Sequence, residues 1–240
     1  MVPATRPPTC PCRTSSNGEA NPRASNNWGH IIKWNETGGN ASATTFTWDI
    51  FLIAGNPQAF PQPNVKAGSS TITTANMFNS PDGIGFDSFG RLWIQSDGNF
   101  SNVGDYAGQG NNQMLAANPT TKEVRRFLVG PSGCEITGLT FTPDRKTMFI
   151  NVQHPGEVGS HPNKPAAHTG DNWIANNPGV FSSWPTPGAA RPRSATVVVR
   201  RTDGGVIGDG NAPVVSSLTA PGAPAGKDFM SGTAAPAGAG

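Results

Sequence analysis

Few residues in this chain have side chains whose type and setting suggest chemistry. Glu135 stands in G-C-E-I-T-G, between small and apolar neighbours at the head of a predicted strand. A charge there is costly unless it is paired or bound to a metal ion; the other reading is a loop carboxylate capping backbone N–H groups. Asp82 in S-P-D-G stands at a similar place before an earlier strand, and also suits a turn in which Asp caps its own backbone. His154 and Glu157, in H-P-G-E, follow a strand end and could ligate a cation or cap a turn. Asn111 and Asn112 could add oxygen ligands. Arg23, in N-P-R-A, carries a guanidinium that suits two phosphate oxygens, or is a solvated loop arginine. These residue types could hold a hard cation with oxygen ligands and an anion with a basic group, or serve only as caps, turn formers and solvated charges.

The elements that would position these groups repeat. Aligning Gly83 with Gly138, an offset of 55 residues, sets G-I-G-F-D-S-F-G-R-L-W-I over G-L-T-F-T-P-D-R-K-T-M-F-I. Each copy is a short apolar strand, a polar turn and a second strand. A self-similar unit made only of strands points to a propeller-type array. In such an array the innermost strand of each blade starts at the channel mouth, so carboxylates at those starts converge.

Strands are expected over residues 28–34, 44–54, 83–86, 91–95, 113–117, 123–129, 136–142, 147–153 and 194–201. Val206-Ile207 is expected to close the last blade through a T-D-G-G turn. Residues 55–79, rich in Pro and polar groups, are expected to line a site or run through solvent. A polar insertion runs from His154 to about Pro192. The fold class is all-β, a partial β-propeller of about two and a half blades. Residues 1–20 read as a disordered N-terminal segment, 21–210 as the propeller part and 211–240 as a low-complexity tail.

The composition agrees. Among 240 residues there are 30 Gly and 23 Pro, as expected for short strands joined by tight turns. The 17 basic and 15 acidic residues give a net charge of +2, too little to argue for nucleic acid or an anionic membrane. No apolar run is long enough to span a bilayer, and the first residues show no apolar core of a signal peptide. The 3 cysteines cannot all pair, and C-P-C at 10–12 has no second ligand pair at zinc spacing. No G-x-S-x-G elbow or phosphate-binding glycine loop is present in the right context.

Seven successive blocks resemble the PhoX-type alkaline phosphatase family: N-P-R-A-x-N-x-x-G-H-I-I-x-W, T-T-F-x-W-D-I-F-L-I-A-G, S-P-D-G-I-x-F-D-x-x-G-R-L-W-I-Q-S-D, G-N-N-Q-M-L-A, G-C-E-I-T-G-x-x-F-T-P-D, M-F-I-N-V-Q-H-P-G-E and R-P-R-S-A-T-V-V-V. They cover roughly residues 20–208 in the family's order. The resemblance implies a six-bladed β-propeller and a metal-dependent hydrolase of phosphomonoesters, with calcium and iron in the central channel. It implies that Glu135 is a calcium ligand, that Asp82 belongs to the site and that Arg23 holds phosphate. It also implies a periplasmic or secreted bacterial protein, monomeric when intact, of which this chain is the C-terminal part. The family's iron-binding cysteine and several carboxylate ligands would lie outside this chain. The family's phosphatases tend to carry a carboxylate two residues after the arginine; Ser25 stands there. The alternative reading is a non-catalytic propeller of the same family, acting as a binding or structural module.

Overall fold

Apolar residues that alternate along short segments, bounded by Gly and Asp turns, form nine strands among the described residues. The structure is a computed structural model and describes residues 20–157, 179–188 and 191–209. The strands are β1 (His30–Glu36), β2 (Phe46–Ile53), β3 (Pro81–Phe86), β4 (Leu92–Ser96), β5 (Gln113–Ala117), β6 (Val124–Val129), β7 (Glu135–Phe141), β8 (Thr147–Gln153) and β9 (Ala195–Arg200). They build three antiparallel sheets in the orders β1-β2, β3-β4-β5-β6 and β7-β8-β9. None closes on itself. Consecutive hairpins stacked face to face make this an all-β, partial β-propeller. Among the described residues no helix is long and apolar enough to cross a membrane.

Two cores hold the stack together. The first lies between the first and second sheets and joins Trp28, Phe51 and Leu52 to Leu92, Ile94 and Leu115. The second lies between the second and third sheets and joins Trp93, Met114 and Leu128 to Ile136, Met148 and Ile150. Successive side chains of a strand point to opposite faces, so β4 gives Leu92 and Ile94 to one core and Trp93 to the other. All five β4 residues are buried, the polar Gln95 and Ser96 included.

The glycine that anchors the repeat has a packing reason. Gly83 and Gly138 each fall where the register of the inner strand shifts. A Cβ on Gly83 would lie 2.7 Å from Gln95 Oε1. The same Gln95 donates from Nε2 to the Gly138 carbonyl at 2.6 Å. One buried amide thus occupies the space left by the first glycine and ties its sheet to the second.

Two expectations are corrected. Residues 55–79 run through solvent only in part: 61–65 are exposed, but Ala67, Ile72, Met77 and Phe78 are buried, and three of these four join the first core. Its ends meet in an isolated bridge, Gly55 to Phe78, and side-chain bonds between Asn76 and Val124 O and from Gln113 and Arg126 to Met77 O tie it to the second sheet. Val206-Ile207 is not a strand. Ile207 instead packs into the second core, its N–H donating to the Arg145 carbonyl at 3.0 Å; the preceding turn does form, with Gly204 N–H bonded to Arg201 O at 3.1 Å. Residues 1–19, C-P-C among them, and the tail from 210 lie outside the described residues. So does most of the 154–192 insertion.

A candidate metal centre at the blade rim

In an antiparallel hairpin the start of the first strand and the end of the second share one rim. Pro81 pairs with Ser96 across β3–β4, and Glu135 pairs with Gln153 across β7–β8. Asp82 is the second residue of β3 and Asp97 follows β4 directly; Glu135 opens β7 and His154 follows β8 directly. Because the two hairpins stand side by side, Asp97, Glu135 and His154 meet, while Asp82 is exposed, lies outside this cluster and acts on Glu135 through its charge. One ligand atom each from Asp97, Glu135 and His154 lie within 4.8 Å of one another. His154 Nε2 is 3.5 Å from Glu135 Oε2, and its Nδ1 is 3.4 Å from Glu157 Oε2.

The cluster is electrostatically unbalanced. Glu135 is buried, while Asp97 is exposed and His154 half-buried. Burial pushes the Glu135 carboxyl above its ordinary range, and the Asp97 and Asp82 charges push it further; His154 opposes them. Like charges held together around a buried carboxylate are what a cation relieves. The spacing also fits. Oxygens that each sit about 2.4 Å from one calcium ion are at most about 4.8 Å apart. Carboxylates suit calcium, and an imidazole beside them also suits iron. The donor set therefore fits a divalent cation.

The turn carrying His154 is held in a constrained shape. His154 has φ 35, in the left-handed region that a residue with a Cβ rarely adopts. Its N–H donates to Ser194 Oγ at 3.0 Å, and the Gly156 N–H donates to Ser132 O at 2.7 Å. Gly133 supports this turn, with φ 69 and its carbonyl accepting from the Glu157 N–H at 3.2 Å. A Cβ there would lie 2.6 Å from Glu157 O. Gly133→Ala is expected to destabilise the protein by about 2 kcal/mol, since alanine at positive φ must also displace backbone. Thermal unfolding measures the loss, and the His154 ring resonances should shift with the displaced turn.

The remaining sequence candidates sit differently. Asn112 is buried next to the cluster, but its Oδ1 already accepts from Ser96 Oγ at 3.0 Å and from Gly98 N at 2.7 Å. It braces the site and offers no free ligand oxygen. Arg23 is buried, not solvated. Its Nε donates to Asn26 Oδ1 at 2.9 Å, one terminal nitrogen to Val65 O at 2.7 Å and the other to Ala54 O. These bonds use three of its five N–H groups, and the guanidinium lies 4.9 Å from the Trp28 ring. Burial lowers its pKa to about 10. Cys134 is unpaired and buried, and burial pushes its thiol up, away from the thiolate a metal needs. Asp97 was not among the sequence candidates. Its signal is positional: like His154, it is the first residue after the second strand of a repeated hairpin.

Stacked blade-like hairpins with carboxylates and an imidazole converging at one rim define a partial β-propeller with a candidate cation site. The family model of alkaline phosphatase PhoX matches residues 9–156, and the chain belongs to that family. Among solved structures it is similar to Pseudomonas fluorescens PhoX in complex with vanadate, described there as a transition-state analogue. The identity is 46% and the TM-score 0.69, over 81% of this chain and 30% of that one. The chain thus spans less than a third of that protein's length. No curated protein matches it.

Proposed function

We propose that this chain contributes one arc of the metal site of a phosphomonoester hydrolase, complete only in the intact propeller. The observation that carries the reading is the convergence of Asp97, Glu135 and His154 within 4.8 Å in a chain of a phosphatase family. Asp97 and Glu135 hold the cation, calcium in our reading, with iron held in part by groups outside this chain. When bound, the cation supplies electrostatic stabilisation of the phosphoryl oxygens. His154 orients the Glu135 carboxylate and partly offsets its charge. Asp82 contributes negative potential from the next inner strand. Arg23, a permanent cation at neutral pH even with its lowered pKa, supplies the phosphate-holding charge through the N–H groups that its bonds to Asn26, Val65 and Ala54 leave.

A second reading, a non-catalytic module, is favoured by two observations. Ser25 stands where the resemblance expects a carboxylate, and Arg23 spends three donors on the protein itself. Hydrolysis of p-nitrophenyl phosphate by the complete protein, with calcium and iron supplied, separates them. The phosphatase reading expects turnover that a chelator abolishes and that Glu135→Ala lowers at least about a hundredfold. No turnover, together with unchanged metal content in Glu135→Ala, refutes it.

A further inference from the structure

Two of the proposed ligands come from different sheets, each held within its own sheet (Glu135 by pairing with Gln153, Asp97 by its N–H to Ser80 O at 3.1 Å) and not to one another by any strand pairing. Asp97 lies just past β4, and Glu135 is the first residue of β7. One side chain touches the main chain beside both. Asn112, 4% exposed at the entry to β5, accepts at Oδ1 from Ser96 Oγ (3.0 Å) and Gly98 N (2.7 Å). Its Nδ2 donates to Gly98 O (3.2 Å) and to Cys134 O (2.8 Å). Ser96 and Gly98 flank Asp97, and Cys134 immediately precedes Glu135.

We propose that Asn112 is the positioning residue of the metal site, setting the Asp97–Glu135 separation by clamping the loop after β4 to the start of β7. This rests on the metal reading above. A carboxamide suits the task because it offers two acceptor and two donor directions in one plane. All four are used. An aspartate could accept twice but not donate, and its charge would face the Gly98 and Cys134 carbonyls.

The surroundings leave this loop little alternative. Ser96 Oγ, which donates to Asn112, also accepts from the Gln113 N–H at 2.9 Å. A Cβ on Gly98 would fall 1.8 Å from Asn79 Oδ1. That same oxygen accepts from Asn99 N at 2.9 Å. The loop bearing Asp97 is thus held on one side by Asn79 and on the other by Asn112. Of the two amides, Asn112 is the one that also reaches the third sheet. Second-layer partners of this kind are worth about 10- to 100-fold in metal affinity.

The test is calcium titration of the complete protein by calorimetry, for wild type, Asn112→Ala and Asn112→Ser, with hydrogen exchange at the Gly98 amide. Asn76→Ala is the control: it removes another buried amide, one that ties Thr71 O to Val124 O of the outer strand β6. The proposal expects both Asn112 variants, where folded, to bind calcium about 10- to 100-fold more weakly and to exchange Gly98 faster. The control should lose stability and keep its affinity. Calcium affinity equal to wild type in a folded Asn112 variant overturns the proposal alone. Absence of calcium binding by wild type overturns the metal reading and this proposal with it.

Discussion

Glu135→Gln is expected to weaken calcium binding at least about 100-fold, or ~2.7 kcal/mol, while making the metal-free protein more stable at neutral pH. Both effects have one cause. Burial, then the Asp97 and Asp82 charges, hold the Glu135 carboxyl above its ordinary range. The folded state therefore binds this proton more tightly than the unfolded chain does. Its contribution is fully present below the ordinary glutamate value of 4.5 and is lost as pH rises through the raised folded value. A neutral amide at the same place has no such loss. Scanning calorimetry between about pH 4 and 8, without metal, should show the wild-type melting temperature falling relative to that of the variant as pH rises. Calcium should reverse the order, since a cation favours the deprotonated carboxylate. Its uptake should release a proton. A variant that melts lower than wild type at neutral pH without metal, or binds calcium as tightly, contradicts this account.

Trp93→Ala is expected to cost about 3–5 kcal/mol, a large share of the ~5–15 kcal/mol that folded proteins have in total. Trp93 is 1% exposed and stands between the second and third sheets. Its ring meets Phe127 edge-on with centroids 4.9 Å apart and lies 5.8 Å from Phe141. Its Nε1 donates to Asp87 Oδ2 at 3.1 Å. Asp87 is itself buried, and burial opposes its charge; bonds from Arg91, Trp93 and the Phe89 N–H still hold its carboxyl below the usual range. Truncating Trp93 opens a cavity between blades and removes one of those bonds. Trp93→Phe keeps most of the ring volume and should cost about 1–2 kcal/mol. Urea denaturation followed by circular dichroism gives both values. A loss below about 1 kcal/mol for Trp93→Ala would mean that the two sheets do not depend on this contact.

The sequence makes the stacking legible and the site only in part. The repeat at Gly83 and Gly138 reveals the hairpins, because the alternation of apolar residues and the turn chemistry are local. It does not reveal the reason for the glycines, since Gln95 fills one position and bonds to the other from a strand the pattern treats as apolar. Glu135 is legible because a carboxylate at the head of an apolar strand is locally anomalous. Asp97 is not, because S-D-G-N reads as an ordinary turn; its meaning appears only when β4 ends beside β7. The burial of Arg23 is not legible because its carbonyl partners, Ala54 and Val65, lie 31 and 42 residues away. Residues 55–79 look like solvent loop because their few apolar groups follow no period, yet Ile72, Met77 and Phe78 fill a core.

Anomalous scattering from crystals of the complete protein grown with calcium and then exchanged into terbium tests the metal centre directly. A single strong peak about 2.3–2.6 Å from carboxylate oxygens of Asp97 and Glu135, with His154 facing it, is the predicted result. A well-ordered rim with no peak, or a peak bound only by other residues, would contradict it.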